Sequence, residues 1–190
     1  RGFNEYEADF AAAGAFKGDA LRRAFESFQR QGSAELREQF NAFEIAQASW
    51  LQDFAFFLAL KERYRGVSWQ DWPEEIRTRE PQSLARAADE LAGAIQFYSF
   101  VQFLFRVQWT ALKKYANDRG IQIIGDIPIY VALDSADVWA HSSQFRLLSD
   151  RRPEVVSGVP PDLFTEDGQL WGNPVFDWEI MERDGFSWWI

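Results

Sequence analysis

Residues 158–174, with the sequence GVPPDLFTEDGQLWGNP, combine the side-chain types that a carbohydrate site needs. The stretch holds two aromatic rings, three carboxylates and two side-chain amides: Phe164, Trp171, Asp162, Glu166, Asp167, Gln169 and Asn173. Aromatic faces pack against the apolar C–H faces of a pyranose ring, while carboxylates and amides bind its hydroxyls. The pattern predicts a long, ordered loop. Composition alone favours the interpretation that Phe164 and Trp171 only pin this loop to the core, and sugar binding is the other interpretation.

Asp126 is a second candidate, because it closely follows the β-branched run IQII at residues 121–124. Such a run predicts a buried strand. In α/β barrels the carboxyl ends of the strands carry the ligand groups, since the loops there meet at one mouth. Asp126 is therefore predicted to lie at a ligand site; the alternative is that its carboxylate caps a local turn.

His141 is the single histidine of the chain, and cysteine is absent. The composition excludes disulfides, thiolate nucleophiles and cysteine-based zinc sites, and it disfavours a histidine-rich metal site. His141 lies near the end of a short predicted helical turn, where a capping or packing role is favoured over that of a general base. No metal and no cofactor are expected.

The charge of the chain is spread unevenly. Lys and Arg number 20 and Asp and Glu 29, a net charge of −9, of which residues 121–190 carry −8. Without a basic cluster, such a chain is not expected to bind nucleic acid or an anionic membrane surface. No apolar run approaches the roughly 20 residues of a membrane span. A neutral ligand fits this balance, and the absence of cysteine suits a reducing, cytoplasmic compartment.

The first 120 residues predict helices, because apolar side chains recur there at helical spacing. Helix starts are predicted at Asp19, Ser33 and Ser49, and helix ends at Gly32 and Gly66. The rest of the chain, which holds the candidate site, is predicted to consist of a strand and loops, so the two regions are expected to have different roles.

A longer helix is predicted over residues 83–118, with Gly93 as its weak point at a cost of about 1 kcal/mol relative to alanine. Apolar residues nearly surround its middle, so that part is expected to be buried. The aromatic stripe expected in the core consists of Phe97, Phe100, Phe103 and Phe105.

Gly120 is predicted to cap the C-terminal end of this helix. The strand predicted after it has no convincing partner in the rest of the sequence. One strand cannot form a sheet, so partner strands are expected outside this chain. The first residues, RGFNEYEADF, also lack an initiator Met and a signal pattern. The chain is therefore expected to be a piece of a longer protein.

Two long runs resemble a known family. They are GIQIIGDIPIYVALDSADVWAH at residues 120–141 and VSGVPPDLFTEDGQLWGNPVFDW at residues 156–178. Both closely resemble the amylomaltases, the 4-α-glucanotransferases of glycoside hydrolase family 77. The segments SWLQDFAFFLALKERYRG, SWQDWP and WTALKKYANDRGIQIIGD are similar to the helical insertions and a barrel helix of that family. The resemblance runs from about Phe40 to Ile190, and residues 1–39 match more loosely.

The resemblance implies an α/β fold: part of a (β/α)8 TIM barrel with predominantly α-helical insertions, mostly helical within this fragment. Residues 1–82 then form a helical insertion subdomain and residues 83–190 a partial barrel. The partial barrel contains the long helix, one barrel strand at about residues 121–125, and an active-site loop at residues 158–174 that is mobile in the family.

The activity implied by the resemblance is transfer of α-1,4-glucan segments between maltooligosaccharides by a retaining covalent mechanism. Such chemistry needs two carboxyl groups about 5 Å apart. In the family both lie beyond the end of this chain, so no catalytic residue is expected here, and the chain alone is expected to be inactive. The substrate-binding positions that carry over are Asp126, Phe164, Gln169, Trp171, Asp162, Glu166 and Asn173.

Two alternatives stay open. The chain could be a helical carbohydrate-binding or interaction module that is complete as given, but its predicted strand would then be unpaired. It could also be a fragment of an α-amylase-type hydrolase, which shares the barrel. Products distinguish the last alternative, because a hydrolase releases reducing ends without making longer oligosaccharides.

Overall fold

The computed structural model describes residues 8–190, so residues 1–7, at the start of the predicted helical subdomain, lie outside the described residues. The described part of the chain is mostly helical. The helices are α1 (Phe10–Gln31), α2 (Ala34–Ala46), α3 (Ala48–Arg63), α4 (Glu74–Arg77), α5 (Pro81–Glu90), α6 (Ala92–Asn117), α7 (Ala136–Ala140) and α8 (Trp178–Arg183). Short 3-10 turns lie at Trp69–Asp71 and Ser142–Gln144, and the strands are β1 (Val156–Val159) and β2 (Gln169–Pro174).

Helix α1 begins earlier than the start predicted at Asp19. Its N-cap is Asp9, whose Oδ1 accepts a hydrogen bond from the Ala12 N–H at 2.9 Å. Residues 11–15 are rich in alanine, the best helix former, so the helix extends back through them. The predicted end at Gly32 is confirmed, because the Gly32 N–H donates to the Phe28 carbonyl at 2.9 Å.

The predicted boundaries of the next two helices hold in part. Ser33 is confirmed as the N-cap of α2, where its hydroxyl accepts a hydrogen bond from a first-turn N–H at 3.2 Å. Helix α3 starts at Ala48, so Ser49 lies inside its first turn and does not cap it. The end near Gly66 is confirmed: its N–H donates to the Lys61 carbonyl at 2.7 Å, and its φ of 80° is one that glycine adopts without strain.

The long helix predicted over residues 83–118 is two helices, α5 and α6, separated at Leu91. The backbone of Leu91, with φ −104° and ψ 9°, departs from helical geometry. Gly93 therefore lies in the first turn of α6 and not in the middle of one long helix. Helix α5 also begins at Pro81, because the Glu80 carboxylate accepts hydrogen bonds from two N–H groups of its first turn.

Contacts divide the chain into two compact units, each built from two stretches of sequence. One unit takes the described residues up to Leu51 together with Gln96–Gln122, and the other takes Gln52–Ile95 together with Ile123–Ile190. These units do not follow the predicted division between residues 82 and 83. The assignment of the two predicted regions to a helical insertion and a partial barrel stays a prediction.

The first unit has an aromatic core. Phe97, Phe100 and Phe103 are buried, as predicted, and the Phe100 ring stacks on that of Phe28 with centroids 4.8 Å apart. The prediction for Phe105 is wrong, since this side chain is 61% exposed. The buried phenylalanines of this core are Phe25, Phe28, Phe40, Phe97, Phe100 and Phe103.

The core of the second unit is built around fully buried tryptophans. The indole N–H of Trp69 donates to the Leu133 carbonyl at 2.8 Å, and that of Trp139 donates to the Ile76 carbonyl at 3.0 Å. Each indole thus satisfies its one polar group while the ring packs against apolar neighbours. These two hydrogen bonds attach Leu133 to the 3-10 turn at Trp69–Asp71 and Trp139 to helix α4.

The strand predicted at residues 121–125 is absent from the described part of the chain. Residues 121–131 belong to no helix or strand, and Ile124 is 89% exposed. A strand needs a neighbour to pair its N–H and C=O groups. The sheet that does form among the described residues is the antiparallel pair of β1 and β2. Within residues 8–190, no helix is long and apolar enough to cross a membrane.

Candidate functional site

The two ends of the stretch predicted as a loop, residues 158–174, pair as a β-hairpin, so the prediction of a loop is wrong for these ends. Gly158 lies opposite Leu170, and Val159 lies opposite Gln169. The glycine is required, since a Cβ at Gly158 would lie 2.6 Å from the Gln169 carbonyl oxygen. The prolines of this stretch lie just after β1 and at the last residue of β2, where no N–H group inside the ladder is lost.

A bulge interrupts this hairpin near its base. Between the pairs Val156–Pro174 and Gly158–Leu170, β1 advances by two residues and β2 by four. Gly172 lies in the longer stretch with φ 76°, a conformation that favours glycine. Bulges bend a strand and redirect its side chains. The residues on either side of Gly172, Trp171 and Asn173, are both predicted site residues.

At the tip of the hairpin, Asp162 is occupied in holding the turn. Its Oδ1 accepts hydrogen bonds from the N–H of Phe164 at 2.8 Å and of Thr165 at 2.9 Å, and its own N–H donates to the Thr165 carbonyl at 3.0 Å. These backbone donors, the Phe164 N–H first, hold the pKa of Asp162 below its usual value. The carboxylate therefore stays ionised and shapes the tip.

The tip presents apolar side chains to solvent. Leu163 is fully exposed and Phe164 is 90% exposed. The alternative in which Phe164 pins the loop to the core is therefore wrong. An ordered turn that displays a phenylalanine ring offers a face against which a sugar ring can pack.

Three predicted site residues form a row along β2: two of them contact each other, and two contact the segment that follows Asp126. The Trp171 indole N–H donates to Oε1 of Gln169 at 3.0 Å. Asn173 Nδ2 donates to the Val131 carbonyl at 2.9 Å, and the Trp171 ring meets the Tyr130 ring in a T-shaped contact with centroids 5.8 Å apart. The row therefore joins the hairpin to the segment that follows Asp126.

Asp126 and Glu166 stand apart from this network. Both are exposed, and within residues 8–190 no hydrogen bond or ion pair joins either of them to another predicted site residue. Asp126 lies four residues before Tyr130, so it shares the segment that the hairpin contacts. The structure thus brings together Gln169, Trp171 and Asn173 and places Asp126 nearby in sequence.

The segment after Asp126 has a firm support at its far end. Asp134 accepts a hydrogen bond from Lys61 Nζ at 2.6 Å, and its other oxygen accepts from the Trp69 N–H at 3.2 Å. Val131 and Leu133 pack against the core of the same unit. These contacts fix the segment that contains Tyr130 and Val131, which contact Trp171 and Asn173.

Two residues of this arrangement, Tyr130 and Val131, were not predicted as part of the site. Val131 acts through its backbone carbonyl, which no sequence pattern shows. Tyr130 lies in the run GDIPIYV, where an aromatic ring shortly after a predicted site carboxylate is the signal that could have found it. His141 ends α7, and its N–H donates to the Asp137 carbonyl at 2.9 Å, in line with the predicted capping role.

The described residues hold no metal-ligand cluster. Over residues 8–190, no group of three or more His, Cys, Asp or Glu side chains could hold a metal ion. The predicted site residues supply aromatic rings, amides and carboxylates, a set suited to hydrogen-bonding and stacking on a polyhydroxylated ligand.

A family model described as 4-alpha-glucanotransferase matches residues 3–190. The chain belongs to the 4-α-glucanotransferase family. It is 49% identical over 189 residues to the 4-alpha-glucanotransferase of Thermus thermophilus and 43% identical over 189 residues to that of Synechocystis sp.. These alignments cover 100% and 99% of this chain but 38% and 37% of the two relatives.

A solved structure of an amylomaltase is similar to this chain over almost its whole length. The amylomaltase from Streptococcus agalactiae in complex with acarbose superposes with a TM-score of 0.92 at 37% identity, over 99% of this chain and 38% of that one. The predicted fold class, part of a (β/α)8 barrel that is mostly helical in this chain, is confirmed. The chain spans little more than a third of the length of these family members.

Proposed function

We propose that this chain is part of a 4-α-glucanotransferase that moves α-1,4-glucan segments between maltooligosaccharides. The observation that carries the proposal is the match over the whole chain to proteins named 4-alpha-glucanotransferase, at up to 49% identity for the relative from Thermus thermophilus. The exposed aromatic and amide groups of the hairpin support it, because they suit a neutral glucan. An acidic chain without a metal-ligand cluster among its described residues is compatible with such a substrate.

In this proposal the hairpin binds the glucan. The Trp171 indole, 45% exposed, and the Phe164 ring each offer a face for a sugar ring. Gln169 and Glu166 provide hydrogen-bonding groups along the same hairpin, and Asp126 provides a carboxylate on the neighbouring segment. Asp162 and Asn173 contribute indirectly, because their polar atoms already hold the tip and the base of the hairpin.

The chemical step requires groups that we do not assign to this chain. Retention of configuration needs a carboxylate nucleophile and a carboxylic acid about 5 Å apart. We propose that the rest of the longer protein supplies both, and that the carboxylates described above only bind substrate or hold the hairpin. We also propose a cytoplasmic location, with which a chain without cysteine is compatible.

The balance between transfer and hydrolysis depends on water at the covalent intermediate. Water is present at about 55 M and competes with the acceptor sugar, so exclusion of water favours transfer. An apolar tip formed by Leu163 and Phe164 suits this task, since it can cover a bound glucan without offering a hydroxyl or a carboxylate to water. The ordered turn below it keeps the two side chains extended from the hairpin.

The full-length protein with maltotriose as its only substrate tests the proposal. A transferase produces glucose together with maltopentaose and longer oligosaccharides, which chromatography resolves. Accumulation of glucose and maltose without any longer product would instead establish a hydrolase. Binding of maltooligosaccharides without turnover by the full-length protein would support the binding-module alternative.

A further inference from the structure

The Trp171 indole is exposed enough to move unless neighbouring groups hold it. Almost half of its surface faces solvent, so burial alone does not fix its rotamer. A flat ring binds a sugar only when the plane of the ring faces the pyranose. The groups that hold the indole therefore set how much conformational entropy is lost when the ligand binds and fixes the ring.

Two groups hold this indole. At the N–H, Gln169 Oε1 accepts a hydrogen bond at 3.0 Å. At the ring, Tyr130 makes an edge-to-face contact with a centroid separation of 5.8 Å and an interplanar angle of 79°. A hydrogen bond at one atom leaves the indole free to tilt about that bond, whereas the second contact removes that freedom.

Tyr130 can serve as a fixed support because its own surroundings are fixed. The next residue, Val131, packs on the core and accepts the hydrogen bond from Asn173 Nδ2 at 2.9 Å. Two residues later, the Leu133 carbonyl accepts from the buried Trp69 indole at 2.8 Å. The hairpin is thus attached to adjacent residues of one anchored segment, through Trp171 and through Asn173.

We infer that Tyr130 is a positioning residue that orients Trp171 for glucan binding, through its ring and not through its hydroxyl. This inference rests on the proposed function, because it takes Trp171 as a sugar-binding residue. Tyr130 acts on the substrate only through the indole. The contact joins two residues of the protein and not the substrate, so it lowers the cost of ordering the site in both the ground state and the transition state. Loss of the contact therefore raises KM more than it lowers kcat.

Kinetics of the full-length enzyme on maltotriose test this inference with a matched pair of variants. Tyr130→Ala removes the ring and is expected to raise KM roughly threefold to tenfold, the fold-change that an aromatic pair contributes. Tyr130→Phe keeps the edge contact and is expected to match wild type. The double variant Tyr130→Ala/Trp171→Ala is expected to be no worse than Trp171→Ala alone, since the two residues act as one unit.

A second measurement does not depend on catalysis. In full-length protein labelled with 5-fluorotryptophan, Trp171→Phe identifies the Trp171 resonance. That resonance is expected to shift or broaden in Tyr130→Ala and to stay in place in Tyr130→Phe. If wild type makes no longer oligosaccharides, the proposed function fails while this spectrum still tests the contact. The inference is overturned by an unchanged Trp171 resonance in Tyr130→Ala, by a Tyr130→Phe variant as impaired as Tyr130→Ala, or by additive losses in the double variant.

Discussion

The Asp162 carboxylate accepts two backbone hydrogen bonds in the hairpin tip, and the turn that displays Phe164 depends on them. The residue belongs to the group that sequence reasoning selected, but the predicted role was direct binding of sugar. The candidate site residues of this stretch could be selected from their side-chain types alone, because aromatic rings, amides and carboxylates cluster there. The partners of Asp162 are N–H groups two and three residues further on, and their positions become known only with the backbone.

Substitution of Asp162 separates the two roles. Asp162→Asn keeps an oxygen that accepts the same hydrogen bonds and is expected to retain near-wild-type transfer by the full-length enzyme. Asp162→Ala removes the acceptor and is expected to lower kcat/KM for maltotriose roughly fivefold, a loss typical of a removed cap. Asp167→Ala, at an exposed carboxylate of the same loop, serves as the control and is expected to change little. If the Asn and Ala variants lose equal activity, the negative charge of Asp162 binds the substrate directly, and its main role is not to hold the turn.

The pH response of this turn follows from the lowered pKa of Asp162. The hydrogen bonds stabilise the ionised form, so the turn is fully stabilised above the usual Asp pKa of 3.8 and is weakened as the pH falls through the lower folded value. Transfer activity between about pH 5 and 8 is therefore not expected to titrate with this group.

Among the elements, some helix boundaries were predictable, whereas the helix starts expected at Asp19 and Ser49 and the positions of the strands were not. Ser33 and Gly32 mark a boundary that the structure reproduces, since capping is a local interaction. The hairpin strands carry Gly158, Gly172 and a terminal proline, residues that normally argue against a strand. The strand expected at residues 121–125 failed for the opposite reason, because its residues suit a sheet but no partner pairs with them in the described chain.

The contact between α2 and α6 contains a carboxylate that opposes folding. Glu44 on α2 lies near Ser99, which is 4% exposed on α6, and burial raises the pKa of Glu44 despite a hydrogen bond from Ser99. Glu44→Gln removes the buried charge and keeps an acceptor for Ser99. It is expected to stabilise the full-length protein at pH 7 by less than about 1 kcal/mol, since the group is only partly buried. Urea unfolding measures this change.

The sign of the pH effect provides a check on that variant. A raised pKa means that ionised Glu44 destabilises the fold above its folded pKa, and that this cost disappears as the pH falls below the usual value of 4.5. The advantage of Glu44→Gln should therefore shrink on acidification. Glu38→Gln, at an exposed position of the same helix, is the control and should show no such advantage. A Glu44→Gln protein less stable than wild type at pH 7 would contradict the argument.

At the scale of the whole molecule, the fold class was predictable because two long runs match one family, and length makes such a match specific. The two contact-defined units were not, since each joins distant stretches of sequence that no local pattern connects. The relative from Thermus thermophilus has 62% of its length outside the alignment, as the chain covers 38% of it. Several isoleucines after α6 are exposed in the described part of the chain.

Those isoleucines lead to a prediction about the chain taken by itself. Ile124 is 89% exposed, and Ile127 and Ile129 are 60% exposed each, all within one stretch of six residues. Burial of an isoleucine stabilises a protein by about 1.5–3 kcal/mol, so a stretch of this kind is expected to be covered in the longer protein. The purified 190-residue chain is therefore expected to self-associate, to bind a hydrophobic dye, and to transfer no glucan from maltotriose. The full-length protein is expected to transfer glucan and to bind no dye.

A matched pair of variants of the isolated chain locates the cause. Ile124→Ser and Ile127→Ser together should reduce self-association in analytical ultracentrifugation, while Leu148→Ser, at a 50% exposed position outside this stretch, should not. The same double substitution in the full-length protein should instead destabilise it, because the two side chains are expected to be buried there and their loss would leave cavities. A monomeric 190-residue chain that unfolds cooperatively and binds maltooligosaccharides would show that the exposed stretch needs no cover. It would favour a self-sufficient binding module over a part of a transferase.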